Sequence, residues 1–119
     1  MLYLEQEFTV VITPSLQNEL EKLDKTHVKI ILKKFQKIRS NGLNTLKILR
    51  IRGNYLLCES KSRRPPYRLY VIVNQKKLVF YLVKWEHKKN QQKVIKELSG
   101  FLDEAFKYGL DRMIKEYFT

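Results

Sequence analysis

The sequence predicts an α+β fold in which an N-terminal helical hairpin packs on a mainly antiparallel sheet and a helical region closes the chain. Three observations carry this prediction. Apolar residues recur at helical spacing over residues 16–38 and again over residues 94–117. Runs of branched and aromatic residues fill the interval between, and one more run precedes the first helix. The 119 residues are 44% apolar and 30% charged with few Gly and Pro, which suits one folded domain over 1–119, with 107–119 as a helical extension.

Phe8 to Ile12 reads as the first strand, ended by Thr13-Pro14-Ser15. Thr13 is placed to cap a helix whose first turn holds Pro14. Leu16, Leu20 and Leu23 then share one helical face. A second helix starts near Asp24 to Thr26, carries Ile31, Phe35 and Ile38 as its stripe, and ends at Ser40-Asn41-Gly42. So short a connection returns the second helix antiparallel to the first. Strand candidates follow at Thr45–Ile51, Asn54–Ser60, Tyr67–Val73 and Lys77–Lys84. Gly53-Asn54 and Asn74-Gln75-Lys76 supply short turns, and Lys61 to Pro66 forms a wider basic loop. Alternation puts Tyr67, Leu69, Val71 and Val73 on one strand face and Arg68, Tyr70 and Ile72 on the other. A third helix carries Val94, Leu98, Phe101, Leu102 and Ala105; Gly109 interrupts it before a last segment with Leu110, Met113, Ile114 and Tyr117.

Charge is concentrated rather than spread. The net charge is +12, and residues 47–93 alone carry 13 basic and 2 acidic residues, net +11. Such a segment attracts a polyanion. The lone Cys58 excludes an intrachain disulfide and sits in a strand candidate as a packing thiol. Two His and one Cys leave too few soft ligands for a structural zinc site, and neither a metal nor a cofactor is expected. Met1-Leu2-Tyr3-Leu4-Glu5 lacks the basic region of a secretion signal, and no stretch is long enough to span a membrane, so cytoplasmic residence without membrane attachment is the expectation.

The order of these segments resembles the RelE/ParE toxin superfamily over residues 8–106, and its RelE and HigB-like branches most. The resemblance rests on several segments taken together. They are the leucine-rich first helix, the Lys-rich helix ending at Asn41-Gly42, and Leu46-Lys47-Ile48-Leu49 before Gly53-Asn54-Tyr55. Tyr67-Arg68-Leu69-Tyr70-Val71-Ile72 follows, then Leu78 to Val83 leading into His87-Lys88-Lys89-Asn90-Gln91. Asn90 and Gln91 stand where several RelE relatives carry a tyrosine, and no Thr-Pro continues the basic run. The resemblance implies the toxin of a type II toxin–antitoxin system, with an acidic cognate antitoxin as partner. RelE-like and HigB-like members cleave mRNA on the ribosome; the ParE-like alternative implies gyrase as target. A nonenzymatic RNA-binding regulator is the third reading, because phosphate contacts and stacking rings serve binding as well as cleavage.

Metal-free RNA cleavage needs a proton acceptor for the 2′-hydroxyl, positive charge at the phosphate and a proton for the leaving oxygen. His87 is the residue that exchanges a proton near neutral pH. Arg68 offers a planar fork to two phosphate oxygens. Lys84 and Lys88 add transition-state charge, while Lys89, Arg63 and Arg64 grip flanking phosphates. Tyr67, Tyr70 and Trp85 are the base-stacking candidates, with packing in the sheet as the competing role. Glu59 and Glu86, the only carboxylates in residues 47–93, either orient His87, act as base or form surface ion pairs. His27 falls outside this set. The arrangement requires Arg68 and at least one of His87, Lys88 or Lys89 to face one concave edge. The stripe Leu110, Met113, Ile114 and Tyr117 either docks a partner or packs internally.

Overall fold

Residues 8–119, described by a computed structural model, form a five-stranded sheet with helices on both faces. The chain runs β1 (Thr9–Ile12), α1 (Pro14–Leu20), α2 (Lys25–Asn41), β2 (Lys47–Arg52), β3 (Tyr55–Lys61), β4 (Tyr67–Asn74), β5 (Val79–His87), α3 (Gln91–Tyr108) and α4 (Leu110–Tyr117). The sheet order is β1-β5-β4-β3-β2; β1 joins β5 in parallel and every other pair is antiparallel. The reading of residues 1–5 as lacking a secretion signal lies outside the described residues. Among the described residues no helix is long and apolar enough to cross a membrane.

Side-chain alternation divides the core in two. Leu56, Cys58, Leu69, Val71 and Val73 point to the face covered by Leu16 and Leu20 of α1 and Ile31 and Ile38 of α2. Leu57, Tyr70 and Ile72 point the other way, against Val94, Leu98 and Leu102 of α3. The stripe on α4 belongs to this second core: Leu110, Met113 and Ile114 are buried, and only Tyr117 stays exposed. Internal packing, not an open docking face, accounts for that periodicity. Each of these buried aliphatic side chains contributes roughly 1.5–3 kcal/mol by leaving water.

Thr13 performs the capping role expected of it. Its Oγ1 accepts from Leu16 N at 3.4 Å and donates to Leu82 O at 3.1 Å, so one hydroxyl starts α1 and ties it to β5. Gly109, at φ +94°, separates α3 from α4 as the sequence predicts.

Two boundaries differ from expectation. Residues 45–51 do not form one strand, because Gly42–Thr45 close a 3-10 turn and β2 starts at Lys47. The last strand lies later than Lys77–Lys84. Asn74 Oδ1 accepts from Lys77 N at 3.2 Å, which holds a wider turn through Leu78, and pairing then continues to His87. The charged run Glu86-His87 is therefore strand, where its side chains alternate between the two faces.

The C-terminal helix is anchored through Asp111, whose carboxylate accepts from Lys77 Nζ at 2.6 Å and from the Tyr81 hydroxyl at 2.5 Å. Burial raises the Asp111 pKa, but these bonds and the Lys77 charge outweigh it and hold the group below its ordinary value of 3.8. A depressed carboxylate pKa gives stability that is complete above pH 3.8 and lost as pH falls through the folded value.

Two outcomes are expected in denaturant titrations. Thr13→Ala lowers stability by about 1–2 kcal/mol, since a buried cap and a buried hydrogen bond are lost together. Asp111→Asn lowers stability by about 1–2 kcal/mol at neutral pH and flattens the wild-type decline on acidification below pH 3.8. Equal acid sensitivity of the two proteins would remove Asp111 as its source.

Candidate functional site

Strand register gathers the charged residues at one end of the sheet. Lys61, Arg68 and Glu86 are directly opposed across β3, β4 and β5, and Lys47, Glu59, Tyr70 and Lys84 make a second row across β2 to β5. Opposed residues project to one face, here the face that carries α3. The rows lie where β3 and β5 end and β2 and β4 begin, so four strand termini supply one surface.

At its centre Arg68 Nε lies 3.8 Å from Glu59 Oε2. The Arg68 side chain is 11% exposed and that of Glu59 5%. Gln91, the first residue of α3, donates from Nε2 to the same carboxylate oxygen at 3.1 Å. Arg68 Nε itself is buried without a hydrogen-bond partner. The pair sits in the wall of an open cleft of about 580 Å³, lined also by Thr45, Lys47, Ser60 and Lys61. Lys47 and Lys61 are exposed and form no ion pair among the described residues. Positive charge thus exceeds negative in the cleft by two, with Lys47, Lys61 and Arg68 against Glu59. Beneath it the Tyr70 hydroxyl is buried and unpartnered; burial, Glu59 and Glu86 push its pKa up to about 12.

Of the three residues at least one of which is expected beside Arg68, His87 lies on the other face of the sheet. His87 is opposed to Tyr67, one residue away from the Arg68–Glu86 pair, and alternation turns its side chain to the face carrying α2. There His87 packs edge-on against Tyr67 at 5.3 Å, and its Nδ1 accepts from Lys89 N at 3.1 Å, capping the Lys88–Asn90 turn. Lys88 and Lys89 are exposed on that turn, which runs directly into Gln91. Lys84 is on the Arg68 face but faces Glu97 at 3.5 Å. Arg63 and Arg64 are exposed in the loop between β3 and β4, at the same sheet end.

Two of the aromatic candidates are corrected. Tyr70 is fully buried in the second core, and Trp85, 4% exposed, is enclosed in the first, so neither ring is open to a base. Trp85 stacks on Tyr67 at 5.3 Å and donates from Nε1 to His27 Nδ1 at 2.9 Å. His27, set aside in the sequence, therefore joins a ring cluster that fastens the start of α2 to the sheet end. Tyr67 is half-buried between His27 and His87. Cys58 is buried, and burial pushes its thiol up to about 12, as befits a packing residue.

Sequence reasoning missed Lys47, Lys61 and Gln91 as companions of Arg68. Strand pairing register brings Lys47 and Lys61 to Arg68, and the packing of α3 on the sheet brings Gln91, so no pattern within one element finds them. Among the described residues no group of three or more His, Cys, Asp and Glu side chains is arranged to hold a metal ion.

Solved structures identify the scaffold. The chain is similar to RelE in the archaeal RelE–RelB complex of Pyrococcus horikoshii, with 20% identity and a TM-score of 0.60 over 69% of this chain and 96% of that one. This is a RelE-like fold. The toxin–antitoxin complex RelBE2 of Mycobacterium tuberculosis matches at 17% identity and TM-score 0.53, covering 69% of this chain and 99% of that one. The isolated RelE toxin of E. coli matches at 20% identity and TM-score 0.53, over 76% and 98% of the two chains. No family model and no curated protein matches the sequence.

Removing Glu59 leaves Arg68 in the cleft wall without its counter-charge and Gln91 without its acceptor. Glu59→Ala is expected to lower stability by about 2–3 kcal/mol, whereas Glu97→Ala, which breaks the exposed Lys84 pair, changes it by less than about 0.5 kcal/mol. Comparable losses in urea titrations of the two variants would remove the special weight given to the Arg68–Glu59 pair.

Proposed function

We propose that this chain is the toxin of a type II toxin–antitoxin pair and that the Arg68 cleft cleaves mRNA on the ribosome, without a metal ion. The observation that carries this reading is the convergence of Lys47, Lys61 and Arg68 on one open cleft, with Glu59 held beside Arg68. The RelE-like fold supports it, since solved structures of that fold include toxins alone and in complex with antitoxins.

In this reaction the RNA 2′-hydroxyl attacks the adjacent phosphorus as the bond to the 5′-oxygen breaks, giving a 2′,3′-cyclic phosphate and a 5′-hydroxyl. Arg68 holds two nonbridging oxygens through its planar fork, and Lys47 and Lys61 balance the charge that grows on them. Glu59, the one carboxylate in the cleft, takes the 2′-hydroxyl proton, and a lysine ammonium supplies the proton for the leaving oxygen. Lys84, Lys88 and Lys89 contact flanking phosphates, as do Arg63 and Arg64 from their loop. His87 serves by capping the Lys88–Asn90 turn that positions Gln91. The cognate antitoxin is a small protein whose acidic residues complement this surface and silence it.

The decisive measurement is cleavage of mRNA on programmed ribosomes, run beside inhibition of gyrase supercoiling. Wild type is expected to cleave and to leave gyrase active. Arg68→Gln should lower the single-turnover rate by about 100-fold or more, and Lys61→Gln by about tenfold. Gyrase inhibition without cleavage would replace this reading with the ParE-like one. RNA binding without cleavage would leave a regulatory RNA-binding protein.

A further inference from the structure

A second cleft, of about 340 Å³, lies on the α2 side of the same sheet end and is lined by Lys34, Lys37, Ile38, Thr45, Ser60 and Lys61. Thr45, Ser60 and Lys61 also line the Arg68 cleft, so the two meet over the rim formed where β2 begins and β3 ends. Together they bring Lys34, Lys37, Lys47, Lys61 and Arg68 to one end of the sheet. Among the described residues no carboxylate lines the second cleft.

Lys34 is the unusual residue in it. Its half-buried ammonium donates to Ser60 Oγ at 2.7 Å and to the Lys61 carbonyl at 2.9 Å. Both acceptors are neutral, so two of its three hydrogens are satisfied while the charge has no counter-ion among the described residues. Burial lowers its pKa, and the neighbouring Lys37 charge lowers it further. An anion placed between the two ammonium groups would offset their repulsion and favour the charged form of Lys34. A surface that merely keeps the protein soluble would leave such a lysine extended into water; here two hydrogen bonds fix it in the cleft wall.

We infer that this second cleft is a phosphate subsite for single-stranded RNA, holding a phosphate beyond the one at Arg68 as the strand crosses the sheet end over Thr45 and Lys61. The inference rests on the reading that RNA is the ligand of the Arg68 cleft. Continuity with that cleft favours a strand over an isolated phosphate ion, because a chain of phosphates alone engages both clefts at once.

The test uses fluorescent 2′-O-methyl oligoribonucleotides of increasing length, which bind without being cleaved, in anisotropy titrations over a salt series. Wild type should gain affinity and salt dependence with length until both clefts are filled. Lys37→Gln, an exposed residue with no hydrogen bond to lose, should reduce the slope of log K against log salt by about 0.7 for long oligomers and leave the shortest ones unchanged. Lys34→Gln with Lys37→Gln should reduce it by about 1.4, and the single variant suffices if the double one does not fold. Unchanged slopes at every length would overturn the subsite. So would equal losses on the shortest oligomers, which signal a diffuse field rather than a site, or an absence of binding by wild type. A polyglutamate peptide that distinguishes wild type from variants when RNA does not would reassign the cleft to an acidic polypeptide. Ribosomal cleavage by the same proteins separates this inference from the functional reading. Length-dependent slope loss without any cleavage keeps the RNA subsite and removes the nuclease, while cleavage with unchanged slopes does the reverse.

Discussion

The antiparallel register that sets Lys61, Arg68 and Glu86 opposite one another is the constraint on which the site depends. A slip of one residue in β4 would turn Arg68 to the α2 face and send Leu69 and Val71 to the other. Both hydrophobic cores therefore enforce the register, since Leu69, Val71 and Val73 are buried on one side and Tyr70 and Ile72 on the other. The position of a single guanidinium is thus maintained by the burial of five neighbouring side chains rather than by its own contacts.

Electrostatics then works on a surface that packing has already built. Glu59 compensates Arg68 in the cleft wall, whereas the exposed Lys47 and Lys61 form no ion pair among the described residues. A buried guanidinium without a counter-ion would oppose folding, whereas exposed ammonium groups cost little. The division follows the cost of desolvation: the charge taken out of water is paired, and the charges that lack an ion pair among the described residues stay in water. It also accounts for the cleft's net positive sign despite an internal carboxylate.

Much of this was legible in the chain itself. The helical stripes, the Thr13 cap, the Gly109 break and the block of strands follow from local chemistry, and they survive because local preference and tertiary packing agree. Arg68 was legible too, as a charged residue alternating with core residues in an apolar strand. What periodicity could not give was pairing. Lys47, Lys61 and Gln91 meet Arg68 only through contacts between β2, β3 and α3, and His87 parts from Arg68 because β5 extends farther than its turn residues suggest. Trp85 and His27 illustrate the same limit: an indole in a basic segment reads as a stacking platform until the structure supplies a histidine 58 positions away as its hydrogen-bond acceptor.

That indole–imidazole bond bears on the site in a further way. It fastens the start of α2 to β5, while Lys34, farther along the helix, reaches Ser60 and Lys61 at the end of β3. The helix is therefore tied to the sheet end at two points, with Ile31 buried between them. Motion of α2 away from the sheet would break a half-buried aromatic cluster and two lysine hydrogen bonds together, so the wall bearing Lys34 and Lys37 is held in place by the fold itself. Pre-organisation of this kind lowers the ordering cost of binding an extended, flexible polyanion, whose own ordering is the larger expense. Tyr67 and Trp85, two of the three rings in the basic segment read as stacking candidates, take part in this fastening, while Tyr70 packs in the other core.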